Sequence, residues 1–515
     1  CNQLTDTVIK TLPKGLKKLN SSWCDKLADA AIKDLPQDLE DLNLSHCKKL
    51  TDAAIKELPK GLKKLNLQFC NLTDAAVKDL PQDVEELLLD FHKLTGAALQ
   101  SLPKGLKKTN LDDLTDETIK LLPQDLEEID LSWCDKPTDA AIKELPRNLQ
   151  TLSLSCKNLT DGAIKDLPRN LKKLTLFWCE NLTDASIKDL PQDLEELFMH
   201  VCPYLTDAMI QELPKNLKNL SLFGGELTGA EMKYSLPKGL KILCLNCKDL
   251  TNAALRDLPQ DLEELNLAYC TNLTDAAIKS LPKGLKKLNL WQCQLTNAAI
   301  KDLPQGLEEL NLGFCKKLTD AAVKSLPKDL KKLNLKCCDQ LTDLAIKDLP
   351  QNLEELDLSW CKNLTDAAIK DLPKNLKKLN LSTTHLTGTT IQDLPRNLEE
   401  LDLGSCDQLT TVKGLPKDLK QLNLSNCKKL IDAAIQILPG NLEGLCLSNC
   451  NQLTDEAIKA LPQNLEKLTL THCNNLTDAA AKDLPKNLRN LYLSRCDRAF
   501  IDAVRQNFPN AEVSG

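Results

Sequence analysis

The 515-residue sequence is poor in aromatic residues, with 5 Trp, 4 Tyr and 8 Phe, and holds only 3 Met and 5 His. So few rings set aside an ordinary core, although 42% hydrophobic residues are enough to bury one and set aside a disordered chain. No apolar run approaches the roughly 20 residues of a membrane span, and no charged-then-apolar leader opens the chain. Positive charge is also short. Lys and Arg number 66 against 73 Asp and Glu, a net charge of -7, which argues against nucleic acid as the partner because phosphate neutralisation needs a basic surface. There is no glycine-rich phosphate loop, and composition does not shift along the chain as it would between dissimilar domains. What the chain has instead is Leu, Lys, Asp and Asn in abundance, with 22 Cys and 25 Pro.

These residues recur as one copied unit. Leu-Pro returns with its proline at Pro13, Pro36, Pro59 and onward to Pro485, at steps nearly always of 22 or 23 residues. A clean copy reads Leu353-Glu-Glu-Leu356-Asp-Leu358-Ser-Trp-Cys361-Lys-Asn-Leu364-Thr-Asp-Ala-Ala-Ile369-Lys-Asp-Leu372-Pro373. Leu356 and Leu358 stand two apart, as a strand with one buried face requires, so Glu355 and Asp357 face outward. Thr365 is expected to cap a short helix, Asp366 to sit at its positive end and pair with Lys370, and Ala368, Ile369 and Leu372 to form its apolar stripe. Pro373 stops the helix and opens the path to the next strand. This period and pattern predict an α/β fold, a leucine-rich repeat solenoid forming a horseshoe or superhelical arc, with a parallel concave sheet and short helices on the convex side.

The array is expected to fill residues 1–496 with about 22 repeats. Cys1-Asn-Gln-Leu-Thr-Asp repeats Cys450-Asn-Gln-Leu-Thr-Asp from the middle of a copy, so the chain reads as truncated within a repeat at its N-terminus. After Cys496 the pattern fails. Phe500, Ile501, Val504 and Phe508 make a helical apolar stripe there, so residues 497–515 are expected to cap the core.

Lys63-Lys64 is followed one copy later by Glu85-Glu86, and Lys286-Lys287 by Glu308-Glu309, which in a parallel stack makes a lateral charge ladder suited to register and solubility. Asn43, Asn66, Asn289 and their equivalents read as an amide row. Cysteines at one repeat position, such as Cys24, Cys47, Cys361 and Cys473, fall at equal points of successive turns and read as buried free thiols donating weakly to loop carbonyls, which favours a reducing compartment, cytoplasmic or a host cytosol. Cys244-x-x-Cys247 is the best metal spacing, but the two fall on opposite strand phases and no second pair exists, so no metal and no cofactor is expected. His46-Cys47 and His472-Cys473 are adjacent in extended segments and point apart, so no enzyme is expected.

At L-x-x-L-x-L-x-x-C-x-x-L-T-D-x-x-I the sequence resembles the cysteine-containing class of leucine-rich repeats. That class is known from F-box proteins, where the solenoid recruits substrates to a ubiquitin ligase, and from expanded arrays in intracellular bacteria that infect amoebae. The element L-P-x-x-L-x-x-L is similar to the opening of repeats in secreted leucine-rich effectors of enteric pathogens. The resemblance covers almost the whole chain and implies a protein-binding scaffold, not a particular activity. No F-box-like helical segment or ligase domain stands in these 515 residues, so neither activity carries over.

Departures from the internal consensus then mark candidate binding residues. Trp133, Trp178 and Trp360 immediately precede the Cys position, Trp291 lies two before it, and Phe69, Phe91, Tyr269 and Phe314 share the rim. Residues 88–247 break the consensus most, with Phe198 in the amide row and Phe177, His200 and Phe223 on the rim. Rim aromatics are typical partner-binding anchors; the alternative is that they stack on one another and cover loop backbone. The functional expectation is a protein-binding scaffold, an effector or adaptor capturing a partner protein on its concave face. The alternatives are the substrate-recognition part of a ubiquitin ligase lacking its N-terminal domain, or a self-associating solenoid.

Overall fold

The computed structural model describes residues 6–24, 27–89, 95–155, 157–230, 236–508 and 512–514. They form two compact units, Cys1–Asp249 and Leu250–Gly515. In the first, strands run from Lys18–Asn20 to Ile242–Asn246, each parallel to the next in chain order. In the second, the same arrangement runs from Glu264–Asn266 to Glu512–Ser514. The leucine spacing sets the register: Leu310, Leu333 and Leu356 are lateral partners, and so are Lys332 and Glu355. Each unit is a leucine-rich repeat solenoid, with the strands as one layer and helices of a turn or two as the other.

The clean copy shows how the repeat closes. Leu353, Leu356, Leu358, Cys361, Leu364, Ala368, Ile369 and Leu372 are all buried, and burying each large aliphatic contributes about 1.5–3 kcal/mol. The helix Asp366–Asp371 is 3-10 in form and ends at Leu372, whose extended backbone (φ -61, ψ 143) is what a following proline imposes. Thr365 caps it by accepting from the Ala367 N–H.

Asp366 departs from expectation. It does not pair with Lys370; its carboxylate accepts from the N–H and Oγ1 of Thr387, one repeat on. The same link joins Thr342 to Asp320 (2.8 and 2.7 Å) and Thr365 to Asp343 (2.8 and 2.6 Å). In Thr138–Asp116 and Thr183–Asp161 it recurs in the first unit. In a solenoid the nearest polar partner lies in the neighbouring turn, so a helix-start carboxylate ties repeats together as well as meeting its own helix end.

After most of the described strands the chain turns through a left-handed residue. Trp23, Phe69, Trp178, Tyr269, Phe314 and Trp360 have φ between 56 and 67°, and Ser405, Asn426 and Asn449 occupy the same place. Bulky side chains are unusual there. The turn points the next residue, cysteine, inward. Cys361 Sγ donates to the Leu335 carbonyl of the preceding repeat at 3.3 Å, and Cys315, Cys427 and Cys473 do likewise to Leu290, Leu403 and Leu447. All the described cysteines are free thiols. Burial pushes Cys361 and Cys450 up to about 12, so these thiols stay protonated and unreactive.

Candidate binding face

Strand length is where the two units part. In most repeats the third strand residue is Asn or Asp, and its Oδ1 accepts the N–H two residues on: Asn289 from Trp291, Asn311 from Gly313, Asn334 from Lys336, Asp357 from Ser359, at 2.8–3.0 Å. Such a side chain competes with the ladder for that N–H, and strands that carry it stop at three residues, or four in Glu128–Leu131. Five consecutive strands of the first unit lack it. Ser153, Thr175, Phe198, Ser221 and Cys244 hold the position, and the strands Thr151–Ser155, Lys173–Phe177, Glu196–His200, Asn219–Phe223 and Ile242–Asn246 each run to five residues. Cys446 and Thr469 also lack the amide in strands that stay at three, so losing it permits lengthening without compelling it.

The longer strands add a third outward row. Ser155, Phe177, His200, Phe223 and Asn246 are successive register partners. Phe177 and His200 stack with ring centroids 5.2 Å apart, and His200 and Phe223 at 5.4 Å. In the middle row Phe198 lies between Thr175 and Ser221, both nearly buried, and Lys173 Nζ stands 5.3 Å above its ring. Lys173 and Glu196 are the only charged residues at the outward positions of these five strands, and they pair with each other at 3.2 Å. Burial between two phenyl rings lowers the His200 pKa, so the imidazole is neutral near pH 7.

The rim residues fall into separate groups. Trp133 is 80% exposed, and among the described residues neither it nor Trp178 makes a ring contact with the Phe177–His200–Phe223 stack. Phe69 belongs to a different stack, Trp23–His46–Phe69, with centroids 3.5 and 4.3 Å apart. Tyr269 and Trp360 are exposed. Trp291 and Phe314 are half-buried and tilted against each other at 4.6 Å, and the Trp291 ring occupies the space a side chain at Gly313 would need. Phe91 lies outside the described residues. Tyr204, 62% exposed in the turn after Cys202, escaped the sequence reading because it falls beyond the rim position.

Other chemistry is sparse. His46 stacks outward while Cys47 Sγ donates inward to the Ser21 carbonyl at 3.2 Å, so the adjacent pair forms no couple. Cys244 Sγ donates to Asn246 Oδ1 at 2.9 Å on the outer face, whereas Cys247 is buried. Among the described residues no cluster of His, Cys, Asp or Glu is placed to hold a metal ion, and no helix is long and apolar enough to cross a membrane.

A family described as leucine-rich repeat matches residues 62–80 and 350–372. No curated protein matches the sequence. Among solved structures 272 chains match. One is the crystal structure of a TLR13–ssRNA13 complex, 20% identical, with a TM-score of 0.49 over 98% of this chain and 89% of that one. Repeats of this kind are typically binding scaffolds, not enzymes.

Proposed function

We propose that the chain is a non-enzymatic protein-binding scaffold, an adaptor or effector working in a reducing compartment, and that it captures its partner on the five long strands between Thr151 and Asn246. Residues 497–515, whose helix Arg498–Asn507 buries Phe500, Ile501 and Val504, serve as the cap of the core. One observation carries the reading: the charge ladder gives way, in five adjacent strands, to a nearly uncharged face bearing Phe177, Phe198, His200 and Phe223. Aromatic anchors supply most of the affinity of a protein interface, whereas solvated ion pairs supply little. Trp133 and Trp178 extend this surface along the rim, with Tyr204 beyond it; Phe69, Phe91, Tyr269, Trp291, Phe314 and Trp360 are further rim anchors.

The test is a triple variant, Phe177→Ser, Phe198→Ser and Phe223→Asn, each a residue found at the same row in a neighbouring strand (Ser155, Ser221, Asn246). Partner capture is expected to fall at least about a hundredfold, with the melting midpoint little changed. Unchanged capture would refute the assignment. If the captured species is another copy of this chain, the adaptor reading gives way to self-association.

A further inference from the structure

The unit Leu250–Gly515 carries a second surface of different chemistry. Phe314, Cys337 and Trp360 occupy the left-handed turn of three consecutive repeats. The Phe314 N–H donates to the Lys336 carbonyl (2.7 Å) and the Cys337 N–H to the Ser359 carbonyl (2.9 Å), so the three turns lie side by side. Cys337 is the smallest of the three and only 8% exposed. It leaves a low point in the rim between two rings.

Lysines surround this notch. Lys316 and Lys317 follow Cys315, Lys336 precedes Cys337, and Lys362 follows Cys361 with its Nζ 5.9 Å from the Trp360 ring centroid. None of the four forms an ion pair among the described residues. The sheet lysines of the same repeats are neutralised: Lys331 by Glu308 at 2.7 Å, Lys332 by Glu355 at 3.3 Å, Lys377 by Glu354 at 2.6 Å and Lys378 by Glu400 at 2.8 Å. Some rim lysines elsewhere find partners, as Lys136 does in Asp113, Lys157 in Asp135 and Lys428 in Asp407, whereas Lys48, Lys49 and Lys248 form no ion pair among the described residues. Two carboxylates lie near the notch. Asp357 already accepts from the Ser359 N–H at 2.8 Å, and Asp339 stands within electrostatic reach of the Cys337 thiol, as do Lys316 and Lys336.

We propose that this rim docks a short acidic peptide segment that places an apolar side chain between Phe314 and Trp360 and its carboxylates on Lys316, Lys317, Lys336 and Lys362. Charge complementarity selects that occupant. The cations are local and exceed the nearby anions, so a few carboxylates meet them, while the rings supply the apolar anchor. A long polyphosphate chain fits poorly, since it must neutralise many phosphates and the chain as a whole carries -7.

The experiment uses the full chain and a fluorescein-labelled synthetic peptide with glutamates flanking a central leucine and tryptophan, read by fluorescence anisotropy at low salt. Expected are saturable binding, a loss of at least about tenfold in the Lys336→Glu and Lys362→Glu double variant, and a similar loss when the peptide's glutamates become glutamines. Trp360→Asn, which installs the residue that Asn426 and Asn449 already provide at this turn, is expected to weaken binding without unfolding the chain. The Phe177, Phe198 and Phe223 variant is expected to bind this peptide normally. Absence of binding, equal binding of the glutamine peptide, or tighter binding of a single-stranded oligothymidine would each overturn the proposal.

Discussion

From Glu264–Asn266 to Glu400–Asp402, the strands of Leu250–Gly515 alternate glutamate with lysine in strict register, and each ends at an Asn or Asp. From Thr151–Ser155 to Ile242–Asn246, the strands of Cys1–Asp249 keep the alternation only in Lys173 and Glu196, drop the amide and grow by two residues. The leucines, prolines and helix-side threonine links continue through both stretches. The strand face can therefore change its chemistry without disturbing the core, because period-two alternation separates inward from outward positions. The leucine core therefore continues beneath a strand face that keeps only part of the charge ladder, Lys173 with Glu196 and Lys218 with Glu195.

The largest expected effect comes from erasing the difference. Thr175→Asn, Phe198→Asn and Ser221→Asn together restore the strand-ending amide in three adjacent repeats. Partner capture is expected to drop at least about tenfold, and hydrogen exchange at Phe177, His200 and Phe223 should report N–H groups taken up by the new side chains. Full capture with shortened strands would show that the face is not the site.

Next is a change confined to the second unit. Gly313→Ala drives a methyl group into the Trp291 ring. A loss of about 1.5 kcal/mol is expected from overpacking, measured as a lower denaturation midpoint with a shifted tryptophan emission. An unchanged midpoint would mean that the Trp291 ring moves off the Gly313 backbone without cost.

The inter-repeat links should give smaller effects that are equal in the two units. Asp320→Ala leaves the Thr342 N–H and hydroxyl without their acceptor, at about 1 kcal/mol, and Asp161→Ala should do the same to Thr183. Asp320→Asn should cost less, because Asn252 and Asn297 already serve at this position, accepting from the N–H of Thr274 and Thr319. Unequal losses in chemical denaturation would break the claim that the framework is shared.

The smallest effect is the His200 titration. Its folded pKa lies below the ordinary 6.5 because the ring is buried, so below that value the unfolded chain binds more protons than the native one. Stability is then lost as pH falls from 6.5 toward the folded pKa, and it levels off below. An NMR midpoint at or above 6.5 would contradict the buried stack.

Strand phase, proline breaks and the inward cysteines were legible because each is a local pattern repeated at fixed spacing. The partner of Asp366 was not, since sequence proximity suggested Lys370 while the folded neighbour is Thr387, one turn away. The left-handed turn was hidden by Trp, Phe and Tyr, which do not advertise positive φ. Asn426, Asn449 and Gly224 at or beside that bend carried the signal, since Asn and Gly tolerate such backbones. For the candidate face, sequence located Phe177, Phe198, His200 and Phe223, but the extra strand residues that align three of them in one stack follow from hydrogen bonds that the Asn and Asp residues make elsewhere.

The central claim is that the partner sits on the interrupted face and not on the ladder. A photo-cross-linking phenylalanine analogue placed at position 198, and separately at position 334 in the same row of the second unit, tests it directly. The account predicts a partner adduct from position 198 and none from position 334. Adducts of equal yield from both positions, or an adduct from position 334 alone, would contradict it.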